Sequence, residues 1–149
     1  MKKPMKRILL YSVLVFVLSA GTARAERLSI AVDKANIRSG PGKKYEVLWT
    51  VGKYFPVDVV QTSGDWRQVR DYEGDVGWIH SALLQDIPCV IVKGSLVNVR
   101  EGPGTDAKVV FQAESGVSFK VEEKKGAWLH VKHADGDSGW IHESLVWGQ

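Results

Sequence analysis

The residues with the widest chemical range in this chain are one cysteine and four histidines, His80, His130, His133 and His142. His80 and His142 each close a Gly-Trp-Ile-His tetrapeptide. One histidine per copy lacks the three or four N, S or O donors that a metal needs, and both read as solvated turn residues. His130 and His133 flank one strand, with no cysteine or carboxylate at ligand spacing. Cys89 opens an apolar run with neither a helix N-terminus nor a local base to activate a thiolate. It reads as a small, half-buried strand residue, the alternatives being a nucleophile or an intermolecular disulfide. A lone cysteine cannot form an internal disulfide. Asp71, Glu73 and Asp75, with Asp135 and Asp137, lie in glycine-containing hairpins. These are solvated tips, or weak calcium ligands. The expected protein is therefore not an enzyme and carries no metal or cofactor.

The elements that position these residues come in duplicate. Asn36, Arg38, Gly40, Pro41 and Gly42 return as Asn98, Arg100, Gly102, Pro103 and Gly104. Trp66 returns as Trp128, and Gly77-Trp78-Ile79-His80 returns as Gly139-Trp140-Ile141-His142. The offset is 62 positions throughout, which marks a duplicated structural unit. The Gly-Pro-Gly segments are not phosphate loops, because no Lys-Ser/Thr pair and no helix follow them.

Ahead of the repeats stands a leader. Lys2, Lys3, Lys6 and Arg7 precede an apolar run from Ile8 to Leu18, and Ala23-Arg24-Ala25 has the small-x-small form a signal peptidase reads. The run is shorter than the roughly 20 residues of a bilayer span. We expect a signal peptide over residues 1–25, export to the periplasm or the medium, and no membrane span afterwards. The leader also accounts for the basic pI near 9.0. Five of the 20 Lys and Arg lie in it, which leaves fifteen cations against 17 Asp and Glu, a mature charge of −2. Nucleic-acid binding, which needs a basic face, is not expected.

Two domains follow, at 26–87 and 88–149, joined by a short linker from Gln85 to Pro88. Alternation in Leu28–Val32, Phe55–Val59 and Val117–Val121 predicts half-buried strands. Turn signals every ten or so residues and no helical period make the fold class all-β, each unit a small barrel or a sandwich. Units this small bury only ~60% of their unfolded surface. Trp66, Trp78, Trp128 and Trp140 are expected to supply much of each core, with ligand stacking as the alternative. Gly42 and Gly104 are expected at positive φ in the turn after proline. Arg38 and Arg100 are placed to bond carbonyls of the following loop.

These three ordered motifs, Asn-(Ile/Val)-Arg-x-Gly-Pro-Gly, a later strand Trp, and Gly-Trp-Ile before a turn, resemble the bacterial SH3 (SH3b) family over residues 28–87 and 90–149. The resemblance implies a five-to-six-stranded, partly open barrel per copy. It implies non-catalytic binding of cell-wall peptidoglycan, particularly its peptide stems, or of an envelope protein or peptide. The groove would run between the loop after Gly-Pro-Gly and the hairpin tips. The aromatic motif with which the eukaryotic relatives grip proline-rich peptides is absent, so that ligand is not carried over.

The copies depart from the family at three aromatics, Tyr54, Trp49 and Phe111, and these together with Tyr72 are the candidate ligand contacts. Tyr54 stands where the family usually has the glycine that copy two keeps as Gly116, so positive φ there would strain it. Trp49 and Phe111 replace small residues; each is either buried or a contact with a ligand or the other barrel. Tyr72 sits at a hairpin tip where copy two has Ala134. Rival functions are an interaction scaffold working through exposed aromatics or open sheet edges, and a vestigial enzyme or enzyme subunit.

Overall fold

The structure is a computed structural model that describes residues 25–149. The leader expected over residues 1–25 lies, apart from Ala25, outside the described residues. No helix among them is long and apolar enough to cross a membrane.

The first copy has strands β1 (Glu26–Ile30), β2 (Ala35–Arg38), β3 (Val47–Val51), β4 (Pro56–Ser63), β5 (Trp66–Arg70), β6 (Val76–His80) and β7 (Leu84–Gln85). The second repeats them as β8 (Cys89–Val92), β9 (Val97–Arg100), β10 (Val109–Ala113), β11 (Ser118–Lys125), β12 (Trp128–Lys132), β13 (Ser138–His142) and β14 (Val146–Trp147). Both sheets are seven-stranded, with orders β3-β2-β6-β5-β4-β1-β7 and β10-β9-β13-β12-β11-β8-β14. The seventh strand, two residues long, is one more than the family resemblance implied. It forms because a single 3-10 turn, Ser81–Leu83 or Glu143–Leu145, returns the chain beside β1 or β8.

Long β4 and β11 make the curl possible. Each pairs with two neighbours and carries a register shift, at Val59/Gln61 and Val121/Glu123. Such a bulge sharpens local twist, so one strand serves both walls of a small barrel. Inside, Ile30, Ala35, Ile37, Val51, Val57, Val69 and Ile79 form one core. Val90, Val92, Val97, Val99, Phe119, Leu129, Val131 and Ile141 lead the other. Each fully buried aliphatic adds roughly 1.5–3 kcal/mol.

Close packing explains two repeated glycines. A Cβ on Gly77 would collide with the Ile37 side chain, and one on Gly139 would lie 2.6 Å from Val99 Cγ1 and 2.8 Å from the Arg100 carbonyl oxygen. The Gly-Pro-Gly turns differ from expectation. Gly42 and Gly104 are not at positive φ. Their N–H groups donate to the Gly40 and Gly102 carbonyls at 2.9 Å, which tightens the turn without left-handed backbone. In the first copy it is Gly40 that must lack a side chain, because the Tyr45 ring fills that space.

The barrels meet around the three residues Asp86–Pro88. Arg27 holds Asp58 through two bonds, 2.7 and 3.0 Å, donates to the Gln149 carbonyl at 3.2 Å, and lies 4.2 Å over the Trp147 ring. The Ser29 hydroxyl donates to the Ile87 carbonyl at 3.1 Å. On the other flank the Tyr72 hydroxyl lies against Gly116, 3.6 Å from where a Cβ on that glycine would stand, and beside Ser115.

Candidate functional site

One kind of hollow recurs at equivalent positions in the two barrels. In the first it is lined by Ala35, Asn36, Arg38, Trp66, His80 and Leu83, and holds about 210 Å³. In the second it is lined by Val97, Asn98, Arg100, Trp128, His142 and Leu145, and holds about 370 Å³.

Its floor and walls follow from strand parity. In β12, Leu129 and Val131 are fully buried, so Trp128 and His130 take the opposite face. Trp66 in β5 likewise opposes buried Val69. Trp66 and Trp128 are therefore half-buried platforms and do not join either core, against the expectation above. Trp78 and Trp140, 9% and 8% exposed, are buried, but on that same outer face and outside both core clusters. Trp140 carries His130 stacked on it at 5.0 Å.

His80 and His142 are more than solvated turn residues. Their rings stand edge-on to Trp66 and Trp128, with centroids at 5.4 and 5.2 Å. Each Nδ1 accepts the first free N–H of the 3-10 turn that follows, from Ala82 at 3.1 Å and from Ser144 at 3.2 Å. Nδ1 is thus the acceptor, and Nε2 keeps the ring proton. The arginines form the far rim. Arg38 donates to the Lys43 and Tyr45 carbonyls at 3.1 and 3.0 Å, and Arg100 to Thr105 and Ala107 at 2.9 and 3.0 Å. Both guanidiniums lock the loop after Gly-Pro-Gly. A flat indole, an imidazole at its edge and one amide side chain make a shallow site for part of an extended polar ligand.

The four aromatics singled out from the sequence lie elsewhere. Trp49 and Phe111 are half-buried against their cores, Phe111 with its ring 6.3 Å from that of Phe119. Tyr54 has φ 70° where Gly116 has 87°, so the turn does impose left-handed backbone on a tyrosine. Tyr72 stands edge-on to Phe55 at 6.2 Å and reaches the second barrel, which makes it an inter-barrel contact. The groove adjoins the loop after Gly-Pro-Gly as anticipated, but its other wall is Trp66 and His80 and not the hairpin tip around Gly74.

The remaining candidates for chemistry are structural. Cys89 is 3% exposed, deeper than the half-buried position expected, and burial pushes its thiol up to about 11. Asp71 is also buried, not solvated at a tip, and accepts the Glu73 and Asp75 N–H groups at 3.0 Å. Burial holds its carboxyl above the usual range despite those bonds. His133 does the same work in copy two, accepting the Asp135 N–H at 3.2 Å. Among the described residues no three His, Cys, Asp or Glu gather as metal ligands.

Fold and repeated groove together define a tandem SH3-like barrel protein. The chain belongs to the bacterial SH3 domain family, whose model matches residues 31–86 and 93–148. It is 29% identical over 150 residues to YrvJ of Bacillus subtilis (strain 168), named as an N-acetylmuramoyl-L-alanine amidase. That match covers 93% of this chain and 29% of the relative. It is 39% identical over 44 residues to LytH of Staphylococcus epidermidis, named as a cell wall amidase, covering 29% of this chain and 15% of that one. The chain thus spans less than a third of either relative. Among solved structures, an NlpC/P60 family protein from Bacillus cereus matches at 14% identity and TM-score 0.40, covering 82% of this chain and 56% of that one. NlpC1 from Trichomonas vaginalis matches at 12% and 0.37, covering 91% and 51%.

Proposed function

We infer that this chain is a non-catalytic binding module of the cell envelope, taking peptidoglycan through its peptide stems in the two Trp–His grooves. The observation that carries this reading is the recurrence of one groove, with the same Asn, Arg, Trp, His and Leu, in both barrels. The family match and the relatives named as wall amidases support a peptidoglycan-related role outside the cytoplasm. A buried thiol pushed up to about 11 supports a module without its own chemistry. Each groove offers one stacking surface and a few polar contacts, so single-site affinity is weak. Two sites on one body gain avidity when the ligand repeats.

The test is co-sedimentation of residues 26–149 with purified sacculi, beside a Trp66→Ala/Trp128→Ala variant. Retention of the first and loss of the second, with both folded by circular dichroism, is expected. Equal retention of both sinks the groove assignment; no retention of either sinks wall binding.

One observation favours a second reading, an envelope protein scaffold. The edge strands β3 and β10 expose equivalent apolar pairs, Val47 and Leu48 at 39% and 46%, and Val109 and Val110 at 37% and 45%. Exposed apolar edges are templates for another strand. Leu48→Lys with Val110→Lys would abolish partner capture under this reading and leave sacculus binding untouched.

A further inference from the structure

The two grooves share their platform and differ on their rim. In the first, Lys34 and Lys43 complete the lining. In the second, Leu96 and Thr105 stand at those places. Both lysines are exposed, and neither enters an ion pair among the described residues. No carboxylate lines either groove. Asp33, next to Lys34, faces a different hollow, the cleft between the barrels. Arg38 and Arg100 are committed to their loops, so the lysines alone separate the sites by charge. Leu96 goes the other way, a leucine 53% exposed at the mouth of its groove. One site offers two ammonium groups beside a flat indole, and the other a leucine beside the same indole.

We propose that the grooves divide the ligand between them: the first selects a peptide carboxylate through Lys34 and Lys43, and the second takes a neutral, apolar stretch against Leu96 and Trp128. This rests on the groove reading above. Ammonium groups on flexible stems recognise a carboxylate as point charges, and salt weakens such contacts. The platform then contributes in both grooves, and selectivity comes from the rim.

The probe is N-acetyl-Ala-Ala-Ala as free acid and as C-terminal amide, titrated while the indole N–H signals of Trp66 and Trp128 are followed by NMR. The expected result is that Trp66 responds to the acid about fivefold more tightly than to the amide, while Trp128 responds equally to both. Lys34→Leu with Lys43→Thr, which gives the first rim the lining of the second, removes the preference. Leu96→Lys with Thr105→Lys transfers it to Trp128. All four positions are exposed or on a loop, so the variants are expected to fold. Equal response of Trp66 to acid and amide overturns the proposal while leaving the groove reading intact. An equal response to inorganic phosphate overturns the carboxylate assignment. Silence of both indoles overturns the groove reading itself.

Discussion

Tyr54 is the residue at which this chain departs furthest from what its own backbone wants. A non-glycine side chain at φ 70° costs on the order of 1 kcal/mol, and the second barrel avoids that cost with Gly116. Comparing Tyr54→Gly with Tyr54→Ala isolates it, because both lose the ring. Urea unfolding should find the glycine variant more stable by about 1 kcal/mol, the reverse of the usual order in extended backbone. Cys89 supplies a second test. Burial raises its thiol from 9.0 to about 11, so the folded state disfavours the thiolate. The stabilisation is whole below pH 9 and is lost as pH climbs through the folded value, roughly 2–3 kcal/mol in all. Measured against Cys89→Ala, the wild-type chain should lose that margin between pH 8 and 11. An unchanged difference would mean that the thiol is not desolvated.

At the scale of elements, the repeated glycine of β6 and β13 sets how closely β9 and β13 approach. Gly139→Ala forces a Cβ against Val99 and the Arg100 carbonyl, and backbone cannot give way as a side-chain tip does. A loss of about 2–3 kcal/mol in chemical unfolding is expected. This glycine and its tryptophan were legible in the sequence because an exact repeat exposes them, and alternation made the strands legible. Of the groove only the side along the loop after Gly-Pro-Gly was legible, although the signal for its other wall was there. Leu129 and Val131 point inward, so parity sends Trp128 outward, but the size of a tryptophan side chain argues the other way, for core. The place of Tyr72 against the second barrel and the 3-10 turns escaped for another reason: each is settled by a partner distant in sequence, Ser115 and Gly116 in one case and β1 or β8 in the other.

At the scale of the whole molecule, the two barrels are clamped at both flanks of a three-residue connection. Arg27, held by Asp58 of its own barrel, bridges one side to Trp147 and Gln149, and Tyr72 reaches Gly116 and Ser115 on the other. A partly buried Arg over an indole adds about 1–2 kcal/mol. Residual dipolar couplings should therefore fit one alignment tensor for both barrels of the unaltered protein. Arg27→Ala with Tyr72→Ala should require two tensors while each barrel stays folded. Two tensors in the unaltered protein would show that the grooves are not held at a fixed spacing.

The bond between Arg27 and the Gln149 carbonyl, 3.2 Å long, also brings the first strand of the first barrel beside the stretch that follows the last strand of the second. A folded body joined in this way is a cassette. It can sit inside a loop of another protein without stretching its host, and its chain can be closed into a ring and reopened at an exposed tip such as Gly64. Order along the chain is then a convention that the barrels do not need. What they need is the pair of neighbours that each strand finds in space.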